Sequence, residues 1–199
     1  MTPSKTLIQA VAVTVELTGT ELSPAAADVM CQELADYPES QVINALIRCR
    51  RELKGRMSIA DVISRLDDGR LGADEAWALV PKSESETVVW TDEISQAFFV
   101  ARSAPDDYSA RLAFRQCYER LVFEARRDKK PVVWNVSLGF DKEGREPVIR
   151  RAMEQGRIGA AQALTLLPHG VFTEQEPHTP ALTHDNPVPI RALLKSMKP

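Results

Sequence analysis

Three observations predict an all-α fold. Apolar residues recur at helical spacing through most of the 199-residue chain. Segment after segment opens on a capping residue and closes on Gly or Pro. The one stretch that is β-branched and Gly-punctuated, "PVVWNVSLGFDKEG" at 131–144, is short enough to be a connector. The predicted organisation is two related small helical modules, 1–81 and 90–168, with a linker over 82–89. The second module carries the short β-like connector. A flexible Pro-rich tail, 169–199, comes last and ends in a short helix.

Each element has its own warrant. Leu7, Ile8, Val11 and Val15 predict a helix over 4–18 that Gly19 ends. Ser23-Pro24 reads as an N-cap and first-turn proline, and Pro38 breaks that second helix near Tyr37. Val42, Ala45, Leu46, Cys49 and Leu53 share one face of a third helix, with Gly55 as its C′ residue. Ser58 with Asp61 three residues on resembles a capping box and opens a fourth helix. A fifth runs from Ala73 to Val80, where Pro81 stops it, and the polar "KSESET" at 82–87 marks the boundary. Thr91 caps a helix over 92–103, and a long one occupies 107–129. Two more are expected at 145–155 and 159–167, stopped by Pro168.

The bulk numbers exclude several classes. A formal net charge of −3 gives no overall attraction to nucleic acid, so such a contact would need a local patch. No apolar run approaches the roughly 18 residues of a membrane span. Leu7 to Leu17 lacks the basic start and small-residue cleavage site of a signal peptide. Cys31, Cys49 and Cys117 are odd in number and far apart, which reads as reduced thiols in a cytoplasm, a bacterial host's or the cell's own.

The sequence points to no catalytic, cofactor-binding or metal-ligating set, and the chain is expected not to be an enzyme. It has no GxSxG, P-loop, HExxH or Gly-rich dinucleotide loop. His169, His178 and His184 all fall in the Pro-rich tail, at spacings that match no helical metal face. The paired carboxylates Asp67/Asp68, Asp74/Glu75 and Asp106/Asp107 sit at turns and helix starts, where they favour the helix dipole.

Two basic clusters are the stronger lead. Arg50, Arg51 and Lys54 close the third helix beside Arg48 and Arg56; Arg126, Arg127 and Lys130 close the long one beside Lys129. Their functional reading is contact with phosphates or with an acidic partner. Their structural reading is that cations offset the helix C-terminal dipole, at about 0.3–1 kcal/mol each. Trp77, Trp90 and Trp134 read as packing residues.

A repeat accompanies these clusters. Residues 64–81 and 151–168 share seven of 18 aligned positions, including Gly69-Arg70 with Gly156-Arg157, Gly72-Ala73 with Gly159-Ala160, and Pro81 with Pro168. Upstream, "RRELK" (50–54) echoes "RRDKK" (126–130). A tandem helical unit suits a scaffold or adaptor. At the other end of the chain, Ile190, Leu193, Leu194 and Met197, with Arg191 beside them, form i, i+3, i+4, i+7 anchors of the helix-in-groove kind.

"ELADYPESQVINALIRCRREL" (33–53) with "MSIADVISRL" (57–66) after it resembles the phage replicative-helicase loader/inhibitor family, over roughly residues 5–66. The resemblance implies a compact helical N-terminal domain that meets an origin-bound initiator. It also implies a C-terminal part that binds the hexameric replicative helicase and holds it until handover. The expected partners are therefore a replicative helicase and an initiator protein. Such loaders are one small domain plus a tail; here a second helical region, 88–168, intervenes, and it resembles proteins encoded in phages and prophages. The alternatives are a nucleic-acid-binding regulator using the basic helix ends, and a phage inhibitor of a host protein.

Overall fold

A computed structural model describes residues 2–167. The expectations for Pro168, the histidines, the tail and its segment 190–198 lie outside the described residues. Nine helices and two strands are present among those described. They are α1 (Lys5–Leu17), α2 (Pro24–Leu34), α3 (Glu39–Glu52), α4 (Ile59–Ser64), α5 (Ala73–Trp77), β1 (Val88–Thr91), α6 (Asp92–Ala101), α7 (Asp107–Arg127), β2 (Trp134–Ser137), α8 (Arg145–Glu154) and α9 (Ala160–Leu166). The chain is thus mostly helical, with one small sheet.

The helix starts obey local chemistry. Ser23 Oγ accepts from Ala26 N–H with Pro24 in the first turn. Ser58 and Asp61 form a reciprocal capping box. Thr91 and Asp106 cap α6 and α7. The end of α3 differs from expectation: Leu53 leaves the helix in an extended conformation, and Gly55 is not left-handed.

Three clusters of buried side chains make the core. The first gathers Leu7, Leu34, Val42, Leu46, Val62 and Leu66 from α1–α4 and the residues after them, with Phe123 of α7 packed against it. The second holds Ala76, Trp90, Ile94, Phe114 and Tyr118. The third holds Val89, Ile149, Ile158, Ala163 and Leu167, with Trp134 and Val136 alongside. Strand β1 lies between the last two. Its alternating side chains send Val88 and Trp90 to one cluster and Val89 to the other. All four of its residues are therefore buried.

This packing corrects the expected boundaries. The linker placed at 82–89 ends at Thr87, because Val88 and Val89 belong to β1. β1 pairs antiparallel with β2, Val89 opposite Val136 and Trp90 opposite Asn135. The "KSESET" stretch is itself tied down: Phe140 N–H donates to Glu84 O, Asp141 N–H to Ser85 O, and Gly139 N–H to Thr87 Oγ1. Leu71, Ala73, Ala76, Trp77, Leu79 and Val80, expected in the first module, pack in the second cluster. α5 is too short to bury them by itself and finds its apolar partner on α7. Trp90, expected only as a packing residue ahead of α6, is a strand residue.

The two echoing segments share a backbone conformation. Gly69 and Gly156 are both left-handed (φ 87° and 67°). Gly72 and Gly159 are both extended N-caps, of α5 and α9. Ala76 and Ala163 are both fully buried. Their arginines part company: Arg70 enters an ion-pair network, whereas Arg157 lies over the Trp134 ring at 4.5 Å.

Gly139 is the most closely packed of the described glycines. A Cβ there would sit 2.0 Å from Ser85 O and 2.4 Å from Ser85 C, both backbone atoms. Gly139→Ala is expected to destabilise the protein by about 1–3 kcal/mol in urea unfolding, the range for overpacking a filled site, and to alter the near-ultraviolet circular dichroism of Trp90 and Trp134 as the β1–β2 end opens.

Candidate functional site

The most highly organised polar cluster is the seam between the first and second cores. Arg70, in the α4–α5 connector, has a side chain only 2% exposed. Its Nε donates to Glu93 Oε1 of α6 at 3.0 Å, and one terminal nitrogen donates to Asp68. The other donates to the carbonyls of Lys130 (3.1 Å) and Pro131 (3.3 Å). Arg126 grips the same Asp68 carboxylate through Nε and Nη2, both at 3.1 Å, and donates to Ser64 O at 2.7 Å. Burial would raise the Asp68 carboxyl, but the hydrogen bonds and charges of Arg126 and Arg70 win and hold it below the usual carboxylate range. Tyr118, also at this seam, donates its hydroxyl to Leu71 O at 2.8 Å, and burial pushes its phenol up.

Four of the six cations expected at a nucleic-acid contact bond groups of the chain itself, although Arg127 and Lys130 stay 57% and 65% exposed. Arg126 belongs to the seam. Arg127 and Lys130 both meet Asp128, at 3.0 and 3.5 Å. Lys129, just past α7 in a left-handed conformation, pairs with Asp36 at 2.6 Å and lies over the Tyr37 ring. Tyr37 in turn donates to Arg127 O. The basic end of α7 is therefore clamped to the α2–α3 turn. At the end of α3, Arg50 donates to Thr14 Oγ1 at 3.0 Å, and Arg48 pairs with Glu52. Arg51 and Lys54 are exposed. The Tyr37 clamp lies before the start of α3 and Arg50 near its finish, about 20 Å apart along the helix at 1.5 Å per residue. A cleft of about 480 Å³ does bring Arg48 and Arg126 to one lining, beside Glu119.

Two sets of residues escape sequence reasoning. Glu93 is one, because nothing in α6 signals that its partner lies 23 positions earlier; the Arg70 end is visible only as one half of a repeated Gly-Arg turn. The second set lines an open groove of about 1040 Å³ between 77–82 and the α6–α7 turn, including Trp77, Phe98, Arg102 and Tyr108. Adjacent aromatics at 98 and 99 are the available signal, since neighbours on a helix point about 100° apart and cannot both face one core. Phe98 packs inward and Phe99 is 61% exposed.

Cys31 and Cys49 are buried, and burial pushes both thiols up. Among the described residues no three His, Cys, Asp or Glu gather to hold a metal ion, and no helix is long and apolar enough to cross a membrane. Comparison with family models, curated proteins and solved structures finds no match to this chain.

Removing one partner of a buried ion network leaves the others uncompensated. Arg70→Met is expected to cost about 3–5 kcal/mol in chemical unfolding, the range for breaking such a network. Asp68 adds a pH signature. Its folded-state pKa is depressed, so its stabilisation is complete above its unfolded value of about 4 and is lost as pH falls through the lower folded value. Asp68→Asn should be less stable than wild type at neutral pH, and the gap should narrow in acid; a constant gap down to pH ~2 would contradict this linkage.

Proposed function

We propose that the chain is a non-enzymatic adaptor of phage or prophage DNA replication, a helicase loader or modulator. The N-terminal helical module docks an initiator, and the terminal segment 190–198, with Ile190, Arg191, Leu193, Leu194 and Met197 as its contact residues, docks a replicative helicase in the cytoplasm of the bacterial host. Its two halves are read as related helical modules.

One observation carries the preference for a protein partner. Of the six cations that are candidates for phosphate contact, Arg50, Arg126, Arg127 and Lys130 are engaged by groups of the protein itself. Large apolar side chains, by contrast, stand in solvent. Val13 and Leu17, one turn apart on α1, are 41% and 69% exposed, and Val29 of α2 is 51% exposed. Val13 and Leu17, four residues apart, share one side of α1, and such a pair suits an apolar protein contact. The nucleic-acid reading retains Arg51 and Lys54, both exposed at the end of α3.

Affinity capture from a host lysate, read by mass spectrometry, tests the adaptor. The full chain is expected to retain the replicative helicase, and deletion of 187–199 to abolish that capture; a truncated chain that still captures helicase removes the role of the segment. In parallel, a mobility-shift titration at low salt should show no complex with single- or double-stranded DNA. A complex that weakens steeply with added salt and is lost in Arg51→Ala/Lys54→Ala would favour the nucleic-acid reading instead.

A further inference from the structure

We propose that the small pocket between α8 and residues 78–89 binds a phosphate monoester, held by Arg151, Arg157 and Lys82. The site lies in the second half of the chain and is independent of the role given to 190–198.

The two echoing segments differ in their acids. In the alignment of 64–81 with 151–168, Arg70 corresponds to Arg157, but Asp68 corresponds to Gln155, Asp74 to Ala161 and Glu75 to Gln162. The first copy carries its own counter-ion, because Asp68 meets Arg70 from two positions before it. The second copy keeps the arginine and has a neutral amide in the acid's place.

Arg157 is left without an anion. It is half-buried and lies over the Trp134 ring, yet among the described residues its guanidinium donates no hydrogen bond and makes no ion pair. Burial pushes it down, partly opposed by the charge of Glu75. Glu75 is itself taken up by Gly72 N–H at the start of α5. A guanidinium drawn out of water with no carboxylate beside it is a site for an anion from outside.

Two more cations converge there. Val148, Arg151, Ala152 and Gln155, at i, i+3, i+4 and i+7, share one side of α8. With Arg157 and Lys82 they line a pocket of about 280 Å³. Arg151 has Pro147 and Gln155 four residues to either side, so α8 offers it no acid at that spacing. Neither Glu154, three residues on, nor any other acid pairs with it among the described residues. Lys82 likewise has no ion pair among them. Glu86 is the single acid on the described lining, and its Oε2 accepts the Lys82 backbone N–H at 3.0 Å.

Three cations against one carboxylate give the lining a net charge of +2. A phosphate monoester carries about −1.5 to −2 near neutral pH and matches it, whereas a carboxylate offsets only half. Two guanidiniums supply the planar N–H forks that suit phosphate oxygens. Val88 and Val148 on the same lining give the ester group an apolar contact. The phosphate would stand to Arg157 as Asp68 stands to Arg70.

The test titrates sodium phosphate, phenyl phosphate and sodium acetate separately into the ¹⁵N-labelled full chain at constant ionic strength, with sodium chloride as the reference. The Nε–Hε signals of Arg151 and Arg157 and the amides of 155–158 are expected to shift and saturate with phosphate and not with chloride. Phenyl phosphate is expected to bind more tightly and to shift Val88 and Val148 as well. Arg151→Gln, at an exposed position, should weaken binding about tenfold or more, the effect of one charge-assisted hydrogen bond. Arg157→Lys keeps a charge over Trp134, loses the fork, and should weaken it too. Gln155→Asp puts back the acid of the first copy at an exposed position and should weaken it most; retained signal dispersion checks that each variant folds. No saturable shift at Arg151 and Arg157 overturns the proposal, as do equal shifts with chloride. Phosphate affinity unchanged in folded Arg151→Gln and Gln155→Asp also overturns it. Acetate binding as tightly as phosphate would reassign the pocket to a carboxylate, and phenyl phosphate no tighter than phosphate would remove the ester contact.

Discussion

A buried guanidinium must have its donors satisfied or its burial becomes a large penalty. Arg70 meets that requirement with groups from three separate parts of the chain: Asp68 beside it, Glu93 on α6, and the carbonyls of Lys130 and Pro131 beyond α7. Satisfying one side chain therefore sets the positions of the α4–α5 connector, α6 and the exit of α7 together. Arg126 closes the arrangement by bonding Asp68 and Ser64 O. Because the connector is held there, α5 falls on α7 and contributes Ala76 and Trp77 to the second core. The Trp77 ring then meets Phe114 edge-on at 5.1 Å, and Trp77 also lines the aromatic groove. The groove's inner wall thus depends on the buried Arg70 network at the seam.

The repeated Gly-Arg turn shows how one local conformation serves two purposes. In both copies a left-handed glycine reverses the chain and an extended glycine starts a short helix. The neighbours in space decide the fate of the arginine between them. Arg70 finds carboxylates and carbonyls and is buried as an ion. Arg157 finds the face of Trp134, and burial pushes its guanidinium down. Its attraction to an aromatic face is weaker than a buried ion network, which fits a turn that holds one edge of a sheet and not the seam between two cores.

The partition of surface comes from the same disposition of charge. Of the cations at the end of α7, Lys129 reaches Asp36 and ties the α2–α3 turn to the long helix, Arg126 reaches Asp68 in the α4–α5 connector, and Arg127 pairs with its own neighbour Asp128. Apolar residues on α1, α2 and the α6–α7 turn have no such internal duty. Helix ends were legible because capping is local: Ser58 with Asp61, Ser23 with Pro24 and Thr91 each act within one turn. The candidate site was less so. Arg126 was visible as a cation at a helix end, but its destination was not, because Asp68 is 58 positions away.

Alone, the sequence determined that the protein is mostly helical, where its helices begin and end to within a few residues, that 131–144 is a strand or a packed loop, and that a Gly-Arg turn occurs twice. These depend on periodicity, capping and backbone preference, all of which act over a few residues. Tertiary structure decided that Val88 and Val89 form a strand, that residues 71–80 join the second core, and that Arg126 turns inward to Asp68 and the Ser64 carbonyl. Each of those outcomes turns on a partner far away in the chain: β2 for β1, α7 for α5, Asp68 for Arg126. A short apolar run or a lone cation has several acceptable local states, and only the partner it meets in the folded chain selects among them.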